Sequence, residues 1–316
     1  MLTTFLSTLE QMVRILIVII FGYIMHKSRA VPKVAESVVS KLVTLLFAPA
    51  LSFYSFATES QISSLIAFAP LVLIGLIFRL SSIGISYPLS KLFSPKDTYC
   101  QGVYRYAFSF PNSGAFATPL IFAFFGTSGL FQFSLFQFTA TFLTYTWGSS
   151  QMEPEHEKIP MRQRLIKFIN PNTIAMFSGM LLGIFGAKNW MPNIVMTTFK
   201  DLSTCYVMGG LLVIGFTLAD YPFKEIFSNR KVYIFSVLRL IVIPAVFLAV
   251  LLLFGAPEML CIITVLAYAA PCGMGAVIFP SFYGMECEDG VQMVLISSLA
   301  AIVTLPIMLA LVQLFV

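Results

Sequence analysis

Charge is scarce in this sequence. Only 10% of its 316 residues are Asp, Glu, Lys or Arg, against about 25% in an ordinary soluble domain. Apolar residues rise to 58% and mean hydropathy to +0.90, more than a core can hide, because a folded chain still needs a polar surface. A soluble enzyme and a disordered chain are excluded, and a polytopic membrane protein is left. Cysteine is sparse as well. Cys100, Cys205, Cys261, Cys272 and Cys287 are odd in number and unpaired in spacing, so they give neither a disulfide framework nor a metal site. No HExxH, GxGxxG, P-loop or paired-aspartate phosphate site is present, so the chain lacks the parts of an ATPase or a hydrolase. It reads as no enzyme, with no cofactor. The net charge of +5 is no nucleic-acid signal, because the basic residues lie between apolar segments.

What is there is a series of apolar runs. A membrane helix needs about 20 such residues, and ten candidates fall at 9–25, 38–57, 64–90, 99–125, 129–147, 172–187, 199–219, 231–254, 257–283 and 290–314. None alternates as a barrel strand would, so helices are the spanning solution. The first run has Glu10 and Arg14 where a signal peptide would be basic, and its positive flank, Lys27 and Arg29, follows it. Thirteen loop cations lie on one side and two, Lys188 and Lys200, on the other. Both termini are therefore expected to be extracytoplasmic in a cell (plasma or inner) membrane.

The chain resembles itself at an offset of 160 residues. That shift lays Pro32 on Pro192, Arg79 on Arg239 and Pro111 on Pro271, and superimposes spans one to five on six to ten. Each half has an odd number of spans, so the halves insert with opposite topology. The expected fold is all-α, ten transmembrane helices in a 5+5 inverted repeat. Residues 1–148 form the first repeat, 149–171 a cytosolic linker and 172–316 the second. Inverted repeats of this kind hold a substrate between their halves near the bilayer midplane.

The fourth and ninth spans are interrupted. The fourth reads Phe110-Pro111-Asn112-Ser113-Gly114 and then Thr118-Pro119. The ninth reads Pro271-Cys272-Gly273-Met274-Gly275 and then Phe279-Pro280. Proline removes a donor and glycine weakens a helix, so backbone groups are freed in mid-membrane. That is tolerated only against protein or a water-filled cavity. Broken helices at matching places in the two halves are the sequence pointer to a transporter site, and their half-helix N-termini suit an anion. A proline kink alone is the plainer alternative. Arg79 and Arg239 lie inside spans, where a charge costs at least about 2.5–3.5 kcal/mol. Either they face the cavity and attract a carboxylate, or they snorkel to an interface or pair with a backbone carbonyl. No Asp or Glu stands at the centre of a span and both histidines, His26 and His156, are in loops, which disfavours a buried-acid proton relay. Sodium could use oxygen ligands such as Ser109 and Gln292.

Several passages together resemble the auxin efflux carrier family, in its compact prokaryotic form. They are Phe21-Gly22-Tyr23, Phe47-Ala48-Pro49-Ala50-Leu51, Phe110 to Pro119, Asn170-Pro171, Gly215-Phe216-Thr217-Leu218, and Pro271 through Tyr283-Gly284 to Pro306. The resemblance implies the bile acid sodium symporter-like fold with crossing fourth and ninth helices. Spans one, two, six and seven would form a scaffold, often dimeric in the family. Spans three to five and eight to ten would form a transport domain. It implies alternating-access carriage of organic anions, small carboxylates such as malate or malonate, or auxin-like acids. The family's substrate asparagine falls on Asn112. Its partner in the ninth span is replaced by Cys272 and Gly273. The substrate site is therefore expected at Pro111, Asn112, Ser113, Gly114, Thr118, Pro271, Cys272, Gly273 and Gly275, with Arg79 and Arg239. The expected partners are an organic anion, the lipid bilayer and a second copy of the chain. A sodium-coupled symporter of bile-acid-like substrates and a non-transporting ligand sensor are the alternatives.

Overall fold

The computed structural model describes residues 2–153, 160–220, 229–282, 285 and 287–315. The Tyr283-Gly284 pair, His156 and Glu286 lie outside them. The described residues are helical: α1 (Leu2–Lys27), α2 (Ala35–Glu59), α3 (Ile62–Phe93), α4 (Thr98–Ser109), α5 (Ala117–Gly148), α6 (Met161–Phe168), α7 (Pro171–Ile184), α8 (Asn193–Asp220), α9 (Arg230–Leu253), α10 (Glu258–Ala269), α11 (Gly275–Phe282) and α12 (Glu288–Phe315). Six of these regions are long and apolar enough to cross a membrane: α2, α3, α5, α8, α9 and α12. Leu16–Lys27, α7 and α10 are shorter apolar helices. A multi-pass, all-helical membrane protein follows. Within α5 the chain departs from helix at Gly126 (φ 61°, ψ −151°), where the sequence places the loop between the fourth and fifth spans.

Local chemistry sets the ends and bends. Asp97 caps α4 by accepting from the amides of Tyr99 and Cys100 (2.9 and 3.0 Å). Asn170 and Thr173 form a reciprocal capping box at α7, with Pro171 next to it in the first turn. Two π-helical turns, Val43–Phe47 in α2 and Leu238–Val242 in α9, stand just before Pro49 and Pro244. A proline cannot donate to the carbonyl one turn back, so the helix widens there.

α1 packs along α8, and α2 along α7 and α8; α3 packs on α4 and α5, while α9, α10 and α12 pack together. Small residues let backbones meet at α1–α8: a Cβ on Gly22 would lie 2.7 Å from the Leu212 carbonyl oxygen. The core runs through Tyr104, Phe108, Phe131, Phe136, Phe235 and Tyr268, all nearly inaccessible.

Two expectations are corrected. The cysteines do form a bridge: Cys100 on α4 pairs with Cys287 just before α12, with Cα atoms 5.8 Å apart across 187 residues. Spacing along the chain could not show this, because folding rather than sequence proximity joins the two helix starts. Cys205, Cys261 and Cys272 are free. Snorkelling fails for both intramembrane arginines, since Arg79 is 1% and Arg239 0% exposed. Each guanidinium ends on a protein carbonyl, the other form of the plainer alternative.

Candidate functional site

Two breaks meet at the centre. Pro111 drives the residue before it out of helix, and Phe110 is extended at φ −119°, ψ 103°. Ala270, before Pro271, is extended likewise at φ −65°, ψ 148°. The freed backbones pair antiparallel at Pro111 and Cys272. Asn112 donates its backbone N–H to the Pro271 carbonyl (2.8 Å), and Gly273 donates its own to the Phe110 carbonyl (3.0 Å). Each break thus satisfies donors that an apolar environment would otherwise leave unpaired. Gly273 is required here, because a Cβ would sit 2.6 Å from the Phe110 oxygen.

An arginine closes the helix before each break. Arg79 Nη1 donates to the Ser109 carbonyl at the end of α4, and Arg239 Nη1 to the Tyr268 carbonyl at the end of α10 (2.7 Å). A cation at a helix C-terminus meets the negative end of its dipole. Arg79 also lies over the rings of Phe110 (5.3 Å) and Tyr268 (4.9 Å), which favour a cation on their faces.

Arg79 forms the floor of a cavity of about 420 Å³. Its Nη2 donates to Gln137 Oε1 (3.1 Å), and Gln137 Nε2 donates to Ser113 Oγ (2.6 Å). The guanidinium draws the amide oxygen toward itself, so the amide nitrogen faces Ser113. The Ser113 hydroxyl is left to donate into the cavity. Thr118 donates from both its amide (2.8 Å) and its hydroxyl (3.2 Å) to the Ser113 carbonyl, which fixes the loop. Asn112, Asn172, Thr141, Tyr145 and Tyr206 border this chamber and also a second one of about 630 Å³. Tyr206 donates its hydroxyl to the Gly114 carbonyl, and Asn172 accepts from Ser52 (2.7 Å). The second chamber adds an apolar wall that includes Ile214, Met274, Ile278 and Val294, with Glu36 bonded to Thr217 (2.6 Å) at one end.

Of the residues expected from sequence, the first chamber collects Arg79, Pro111, Asn112, Ser113, Gly114 and Thr118. Pro271, Cys272, Gly273, Gly275 and Arg239 line neither chamber; the second break supports the first through its backbone. Ser109 and Gln292 border neither chamber either. Gln137, Asn172 and Tyr206 were missed. Gln137 had a signal, being an amide inside an apolar run, where a polar group needs a reason.

A sequence model described as membrane transport protein matches residues 7–309. The chain belongs to that family, the auxin efflux carriers. No curated protein matches it. The two chambers share Ala48, Asn112, Gly114, Thr141, Tyr145, Asn172, Thr173 and Tyr206 as lining residues. Within this auxin efflux carrier homologue, the polar chamber has one lining cation, Arg79, and no lining carboxylate among the described residues.

Proposed function

We propose that the protein is a secondary carrier of organic carboxylates working by alternating access, with ten spans in a 5+5 inverted repeat. The observation that carries this reading is the donor chain from Arg79 through Gln137 to Ser113, beside the Asn112 side chain, in a chamber without a carboxylate among the described residues. Arg79 would supply the charge from below, and Ser113 and Asn112 would touch the substrate. The helical N-terminus at Ala117 adds a positive dipole end. One carboxylate of the substrate binds there, and its body extends beside Met274, Ile278 and Val294 in the second chamber.

The paired packing of α1, α2, α7 and α8 supports a scaffold against which the remaining helices move, and the scaffold would also be the dimer face. The basic loops support a cytosolic position for Glu36, Ser40 and Thr217, in a plasma or inner membrane with both termini outside. The chambers thus reach toward the cytosol. At the opposite side Ser55 donates to the Thr127 carbonyl (3.0 Å) and Thr127 to Glu59 (2.9 Å), tying α2 to α5. That combination describes an inward-facing state.

Sodium coupling at Ser109 is disfavoured. Its carbonyl already accepts from Arg79, and two unit positive charges about 4 Å apart repel by about 4 kcal/mol at an effective dielectric near 20. The test is carboxylate uptake into proteoliposomes by wild type and Asn112→Ala, with and without sodium. Uptake that is sodium-independent and falls at least tenfold in the variant supports the reading. Wild-type flux in Asn112→Ala removes the site assignment.

A further inference from the structure

Arg239 presents a separate problem. It is fully buried, at 0% exposure, and its only hydrogen bond runs from Nη1 to the Tyr268 carbonyl. Nε and Nη2 have no partner. These two nitrogens share one edge of the planar guanidinium, the edge that takes an anion side-on with two parallel hydrogen bonds. Two hydroxyls on α10, those of Tyr268 and Thr264, are also buried without partners, and both residues are 0% exposed. A second buried cation stands close, since Arg79 lies 4.9 Å from the centre of the Tyr268 ring whose backbone holds Arg239. Two cations therefore flank one residue, and neither has a carboxylate partner: the ion pair among the described residues is Arg14 with Glu10, far along the chain.

Water could fill the hydrogen bonds of the open edge but not its charge. A buried cation without a counter-charge carries a desolvation penalty of several kcal/mol. The transported carboxylate cannot supply that charge, because Arg239 lines neither chamber. We infer that the Nε–Nη2 edge of Arg239 holds a resident monovalent halide, chloride in the cell, which is structural and is not carried. Arg239 borders neither chamber, which favours a small ion over a larger oxyanion. A single negative charge also limits the cost of stripping its water. The inference is independent of the identity of the carried substrate.

The test begins with protein purified in sodium gluconate and melted against added sodium chloride, sodium bromide or sodium gluconate at matched ionic strength. Chloride and bromide are expected to raise the wild-type Tm by about 2–4 °C and to saturate, as binding to the native state requires. Gluconate is expected to leave Tm unchanged, and Arg239→Gln to lose the halide response. Should that variant fail to fold, anomalous diffraction from bromide-grown crystals of the wild type decides, with a peak expected on the Nε–Nη2 edge. A wild-type Tm indifferent to halide, or a map without bromide at that edge, would overturn the inference.

Discussion

Gln137 touches Arg79 with its oxygen and Ser113 with its nitrogen, so its two ends test different things. Gln137→Leu breaks both bonds while keeping an apolar body of similar size. A hydrogen bond to a charged group contributes about 1.5–3 kcal/mol, so the KM for carboxylate uptake should rise about tenfold to a hundredfold. Gln137→Glu keeps the shape and sets a carboxylate on Arg79. The chamber's single cation is then neutralised internally, and anion uptake should fall at least as far although the protein folds. Uptake kinetics of the two variants in proteoliposomes, beside their melting curves, check this; unchanged KM in Gln137→Glu would remove Arg79 from the account. Arg79→Lys should also lose uptake, since an ammonium cannot reach Ser109 and Gln137 with the geometry of a fork.

The broken segments belong to the scale of elements, and their pairing makes Gly273 a sensitive position. Gly273→Val puts a side chain against the Phe110 carbonyl, where a Cβ alone comes within 2.6 Å. Overpacking of this kind costs about 1–3 kcal/mol, so a Tm lowered by several degrees is expected, whereas Gly84→Ala, in open space, should cost little. The sequence announced this region, because prolines and glycines inside apolar runs free backbone groups that must go somewhere. It could not announce where they go. Hydrogen bonds between residues 112 and 271, or 110 and 273, depend on two distant segments crossing, and no local pattern encodes that. Arg79 and Arg239 show the same limit. Their offset of 160 residues made them a pair, yet only the fold shows one under the polar chamber and the other sealed away. The Cys100–Cys287 bridge escaped for a like reason.

For the molecule as a whole, the apolar runs and loop charges were enough to read a multi-pass helical protein, because lipid leaves few alternatives to helices, while its family was legible only in the motif passages such as Phe110 to Pro119. Which helices move was not legible, since it depends on contacts between elements. The tie of Thr127 to Glu59 and Ser55 is one such contact. It joins α2 to α5. Glu59→Gln combined with Thr127→Val should weaken this closure and shift the population outward. Thr217→Cys, at the end of the second chamber beside Glu36, reads out the shift through its labelling by an impermeant maleimide from the cytosolic side. Slower labelling in the double variant is expected, and equal labelling would separate the tie from the conformational equilibrium.

The central claim is that a carboxylate binds at Asn112 and Ser113 above Arg79. It is tested most directly by thermal stabilisation of the purified protein against monocarboxylates, dicarboxylates and indole acids, with and without sodium. The account predicts a saturable rise in Tm with at least one carboxylate, the same without sodium, and lost in both Asn112→Ala and Gln137→Glu. A carboxylate shift that survives in both variants, or a shift that appears only with sodium, would contradict it.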